Sequence, residues 1–135
     1  MRDKTLVFLV IGFGLLLAVT PARGHHSFPA EFDANKPIKL TGKVTKVEWT
    51  NPHAYIYIDV KNEQTGEVTN WAIEMGSPNG LVRLGWTRNL LKVDDVVTVD
   101  GALGRYKSNL ANGRSVVLSS TGQRLGAASS EGNKR

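Results

Sequence analysis

The chain has 135 residues, a net charge of +5, 41% apolar residues and no cysteine. That length suits one domain, and the missing thiols exclude disulfide stapling, thiolate metal sites and a lipid anchor through cysteine. The basic excess is too small to argue for nucleic acid, and it falls to +3 once the first 24 residues are set aside.

Those first residues read as a secretory signal peptide. Arg2 and Lys4 precede an apolar or small run from Thr5 to Thr20, which is the charged and then apolar layout of an export signal. The run is shorter than the roughly 20 residues a membrane-spanning helix needs, and no second one follows. Membrane contact is therefore expected only through residues 1–24, before cleavage. Pro21-Ala22-Arg23-Gly24 offers small residues for cleavage after Gly24, with cleavage after Ala22 as the rival. The first cut makes His25 the new amino terminus, and the second leaves Arg23-Gly24-His25. Export without a further address implies a periplasmic or secreted protein.

Residues 25–37 form a polar lead-in with Pro29 and Pro37. From Ile38 the apolar residues alternate, and their phase changes between Gly42 and Thr45, which predicts a bulge or bend in one long strand ending near Trp49. Thr50-Asn51-Pro52-His53 is a turn by composition, and Tyr55 to Val60 is a second strand, with its tyrosines on one face and its isoleucines on the other. A hairpin turn at Asn62 to Gly66 leads to a third strand, Val68 to Glu74. Ser77-Pro78 starts a short helix that Gly85 stops. Thr87 opens a further turn, and Val96 to Val99 is a fourth strand. Ala102 to Asn112 reads as a loop, Ser115 to Leu118 as a fifth strand, and residues 126–135 as a disordered tail.

A three-stranded meander, a helix and two more strands, with a bend in a long first strand, is the order of an OB-fold. The expected fold is therefore all-β with one short helix, a small five-stranded Greek-key barrel over residues 38–125. An open antiparallel sheet crossed by a helix is the alternative.

The motifs His25-His26-Ser27-Phe28, Glu31-Phe32-Asp33, Gly42-Lys43-Val44 and Val47-Glu48-Trp49-Thr50-Asn51-Pro52-His53-Ala54 resemble a family of small exported bacterial proteins catalogued as a domain of unknown function. Trp71, Gly76-Ser77-Pro78-Asn79, Gly85-Trp86-Thr87, Leu91-Lys92 and Asp95 continue the resemblance. It implies an exported domain but no reaction or ligand. Gly24 stands where the family pattern has alanine.

Three histidines carry the candidate chemistry. An amino-terminal His25 offers an α-amine and an imidazole from one residue, and a planar nitrogen set suits Cu(II) above other common divalent ions. Histidine at the third position after the alternative cut also closes a square-planar nitrogen set, so either cut favours copper. His26 or His53 would add a further nitrogen. The plainer reading is a solvated terminus and a turn histidine bonded to backbone. Trp49, Tyr55, Tyr57 and Trp71 form a second candidate set, an aromatic binding face, against which core packing is the competing account. Arg105, Lys107 and Arg114 give the late loop a basic rim suited to an anionic or oligomeric ligand or a protein partner. Glu31, Asp33, Glu48 and Glu74 have no spacing of a catalytic pair and read as solvated. With no nucleophile, phosphate-loop or nucleotide motif in view, the first reading is a non-catalytic copper-binding module. A polymer- or protein-binding module and a copper-dependent oxidase-like activity are the alternatives.

Overall fold

The structure, a computed structural model, describes residues 27–132. The segment expected to be a leader, with its expected cleavage site, and His25 and His26 lie outside the described residues. Six strands form one sheet: β1 (Phe32–Glu48), β2 (Tyr55–Lys61), β3 (Val68–Glu74), β4 (Val96–Gly104), β5 (Leu110–Leu118) and β6 (Arg124–Gly126). Two short helices, α1 (Phe28–Glu31) and α2 (Pro78–Arg83), and a 3-10 turn at Ser130–Gly132 complete the described chain.

Strand β1 is long because it serves two neighbours. Its first part pairs with β4 and its last part with β2, and Gly42 and Lys43 are common to both or adjoin the changeover. The register slips between Val44 and Lys46, the bulge that the change of phase predicts. The order β3-β2-β1-β4-β5 closes into a ring through a parallel pairing of β3 with β5, and β6 adds to the outer edge of β5. This is the OB-like arrangement expected from the order of elements, with α2 between the third and fourth strands.

Alternation sends Val44, Ile56, Ile58, Ile73, Val97, Val99 and Val116 into the ring, where all are buried. Apolar burial of this kind contributes about 25 cal/mol per Å2 and is the main force holding the closed sheet. Ser77 caps α2 through a hydrogen bond accepted from the Gly80 amide, and Leu81 and Trp86 join the core from this connection. A second, smaller cluster of Phe28, Phe32, Ala102 and Leu110 lies apart from that core. It fastens α1 to the barrel, with the two phenylalanine rings 5.5 Å apart.

Five features depart from the sequence expectation, the first being a sixth strand, β6, where five were expected. Strand β1 begins at Phe32 inside the supposed lead-in, and α1 precedes it; four residues are too few for a helical period to be visible. Strands β4 and β5 run well into the span read as a loop, leaving only residues 105–109 between them. The glycines there serve close strand approach: a Cβ on Gly101 would lie 2.2 Å from the Asn112 carbonyl oxygen. Finally, residues 126–132, expected to be disordered, are packed. Ala127 is fully buried, its amide donates to the Arg114 carbonyl and its carbonyl accepts from the Gly76 amide. This C-terminal strap, residues 127–132, is small and polar in composition because backbone bonds and one ion pair, rather than apolar bulk, hold it.

Candidate functional site

On the outer face of the sheet, register places Tyr55 of β2 opposite Glu74 of β3, and Glu74 opposite Asn112 of β5. The three side chains form a row. Glu74 is only 4% exposed, so its expected solvation is corrected: Tyr55, Asn112 and His53 close around a position that strand alternation alone would leave in water. No lysine or arginine neutralises it among the described residues. Instead Tyr55 Oη donates to Oε2 at 2.7 Å and Asn112 Nδ2 donates to Oε1 at 3.3 Å. His53 completes the group, with Nδ1 3.2 Å from Oε1. A buried carboxylate costs several kcal/mol unless such partners are present. Burial, then the hydrogen bond to Glu74, and then the charges of Glu74 and Glu31 push the Tyr55 phenol well above its ordinary value. It therefore stays a donor throughout the neutral range.

The row continues on both sides. Ser129 of the strap donates to Asn112 Oδ1 at 2.5 Å, which ties the strap to the buried carboxylate through one intermediary. On the other side Tyr57 stacks beside Tyr55, with centroids 6.4 Å apart. Its hydroxyl donates to Glu48, which also holds Lys46. The Lys46 and Tyr57 hydrogen bonds lower the Glu48 carboxyl below the usual range.

His53 ends the turn that begins at Thr50, whose hydroxyl donates to the His53 carbonyl. The contact with Glu74 engages Nδ1, which leaves Nε2 as the ring nitrogen not facing the carboxylate. The ring is 30% exposed, and among the described residues no hydrogen bond takes up Nε2. Beside it opens a cavity of about 380 Å3 lined by Pro52, His53, Met75, Gly76, Ser77, Ala128, Ser129 and Ser130. Its floor is the turn and the start of α2, and its far wall is the strap.

The remaining candidate residues fall in different places. Trp49 and Trp71 are half-buried and pack against the main core, away from the face that carries the two tyrosines. Arg105 is engaged in anchoring α1, its Nε donating to the Pro29 and Phe32 carbonyls and its Nη1 pairing with Asp33. Arg114 holds the strap through a two-pronged ion pair with Glu131. Lys107 is exposed. Among the described residues no three His, Asp or Glu side chains gather as a metal cage, so His53 needs donors from elsewhere to hold an ion.

Sequence reasoning missed Glu74 and Asn112. The available signal was Glu74 at the end of an apolar strand, followed by Met75 and Gly76 without a turn residue between. Its partners come from β2 and β5, which only the barrel closure brings together.

The profile of a family of unknown function, DUF6152, matches residues 14–114. That span includes the row of Tyr55, Glu74 and Asn112 and ends before the strap. No curated protein and no solved structure matches the chain.

Proposed function

We propose, for a chain that belongs to the DUF6152 family of unknown function, the role of an exported metal-binding module in which His25, His26 and His53 hold Cu(II). The observation that carries this reading is the environment of His53. A carboxylate set against the second nitrogen of an imidazole fixes the tautomer and ring orientation, and such outer partners accompany histidine ligands of metals. Glu74 holds that position at 3.2 Å from Nδ1 and is itself buried and hydrogen-bonded.

The path of the chain supports the same reading. Arg105 and the Phe28–Phe32 contact fasten α1 to the barrel, and the charge of Glu31, at its end, acts on Tyr55. α1 also packs near the 3-10 turn, whose first residue, Ser130, shares the cavity with His53. His25 and His26 directly precede Ser27, and two residues span at most about 7 Å, so this reading draws its further nitrogens from the chain just ahead of α1. The nitrogen-rich donor set selects copper over harder ions. The role is non-catalytic in this reading, and the exported protein works in the periplasm or outside the cell.

The test is a Cu(II) titration with electron paramagnetic resonance on protein exported by its host, the processed terminus fixed by intact mass. A tetragonal nitrogen-rich signal at one equivalent is expected, lost when a methionine precedes His25. His53→Ala weakens binding at least about tenfold. Unchanged affinity in both forms would overturn the assignment.

A further inference from the structure

The strap, residues 127–132, is seated on the barrel as a bound peptide would be, and each contact that holds it has its own chemistry. The Ala127 amide donates to the Arg114 carbonyl, and the Ala127 carbonyl accepts from the Gly76 amide, so the slot pairs with a main chain on both of its sides. The Ala127 side chain is fully buried, and a Cβ built on Gly113 would stand 3.4 Å from its own. That position admits a methyl group and nothing longer. The Ser129 hydroxyl donates to Asn112 Oδ1. Glu131 closes a two-pronged ion pair with Arg114, whose guanidinium also donates to the Gly101 and Ala34 carbonyls. The slot therefore reads a small residue, a hydroxyl two positions later and a carboxylate two positions after that.

The strap fills this seat incompletely. Ala128, Ser129 and Ser130 border the cavity of about 380 Å3, whose lining also includes Pro52 and Met75. Ser129 is committed to Asn112, and Ala128 has a positive φ of 51° and lies close against Gly76. Ser130 is thus the position at which a different side chain can enter the cavity, and a branched apolar one would remove more apolar surface from water than a hydroxymethyl group does. The residues that read the occupant, Gly76, Asn112, Gly113 and Arg114, lie within the span matched by the family profile, whereas the strap lies beyond it.

We infer that the slot is a peptide-binding site for an extended segment of a partner protein with the pattern Ala-x-Ser-apolar-Glu, and that the strap is a weaker occupant of the same site. Main-chain hydrogen bonds supply affinity in such docking, and pockets for individual side chains supply specificity. The partner's advantage is the apolar side chain at the place of Ser130. The strap's advantage is its covalent attachment, which gives it a high effective concentration. Exchange of one for the other needs only the loss of the Arg114–Glu131 pair and a few backbone bonds. The inference does not rest on the copper reading, because no metal ion takes part in it.

The experiment is a nitrogen-15 amide NMR titration of the full processed chain with the synthetic peptide Gly-Ala-Ala-Ser-Leu-Glu-Gly, in the wild type and in Glu131→Gln, whose strap has lost its ion pair. Saturable shifts at Gly76, Asn112, Gly113 and Arg114 are expected. Glu131→Gln should bind the peptide about tenfold or more tightly than the wild type, because the competing strap lacks a charge-assisted bond. Serine in place of the peptide's leucine weakens binding about tenfold, and arginine in place of its first alanine abolishes it. Within the chain itself, Ser130→Leu places the same side chain in the cavity and raises the protection of the Ala127 amide about tenfold. No saturation in the folded Glu131→Gln protein, equal binding of the arginine-bearing peptide, or unchanged Ala127 protection in Ser130→Leu would each overturn the inference.

Discussion

Glu74 lies at the centre of the buried outer row, and each of its partners has a separable effect. Tyr55→Phe removes a 2.7 Å hydrogen bond to a buried carboxylate and is expected to cost about 1–3 kcal/mol in chemical denaturation. The same substitution alters the alkaline limb of stability. Because the folded Tyr55 phenol is raised above its ordinary 10.0, its stabilising contribution is complete below pH 10.0 and is lost as pH rises through the folded value. Wild-type protein should therefore lose more stability than Tyr55→Phe between about pH 10 and higher pH; parallel curves for the two would refute the account. Glu74→Gln, which leaves His53 in place but removes the charge behind it, is expected to reduce copper affinity about 10–100-fold. Isothermal titration of the processed protein measures this directly.

At the scale of elements, the strap is the part most open to manipulation. A Cβ on Gly76 would stand 2.4 Å from the Ala128 carbonyl oxygen and 2.5 Å from its Cβ, and Ala128 already has a positive φ of 51°. Gly76→Ala is therefore expected to lift the strap and destabilise the domain by about 1–3 kcal/mol. Loss of amide-exchange protection at Ala127, with the β1–β4 amides unchanged, is the signature. Acid acts on the same element through Glu131. The hydrogen bond and charge of Arg114 hold its carboxyl below the ordinary 4.5, so the stabilisation it gives is present above that pH and lost as pH falls through the lower folded value. The protection of the Ala127 amide, relative to its intrinsic exchange rate, should fall in that acid window in the wild type, while Glu131→Gln shows low protection at all pH values. A pH-independent wild-type strap would show that the ion pair does not hold it.

For the whole molecule, stability resides in the closed ring. Ile73 is fully buried on the strand whose parallel pairing with β5 closes the sheet. Ile73→Ala is expected to cost about 2–5 kcal/mol by loss of apolar contact and the cavity it leaves. Thermal unfolding followed by tryptophan fluorescence, with Trp49, Trp71 and Trp86 all packed on the core, should shift as one transition. Separate transitions at different probes would show that the ring is not a single cooperative unit.

Local chemistry determined much of this protein from sequence alone. Alternation gave the inward isoleucines at 56 and 58, the change of phase near Gly42 gave the bend in β1, and Ser77-Pro78 gave the start of α2, since each effect depends on neighbours within a few residues. His53 was legible as a candidate because imidazole chemistry belongs to the residue type. Its surroundings were not. Glu74 is buried because Tyr55 and Asn112 flank it across strands 19 and 38 positions away in the chain, and Arg114 and Arg105 are taken up by Glu131 and by α1 rather than left as a basic rim. The glycines of β4 and β5 suggested a loop because composition does not report that another backbone lies within 3 Å. The strap was the least visible element, since backbone hydrogen bonds to Gly76 and Arg114 hold it and such bonds leave no pattern in side chains. Tertiary closure alone decided which polar groups meet, because strand pairing joins residues whose separation along the chain carries no periodic signal.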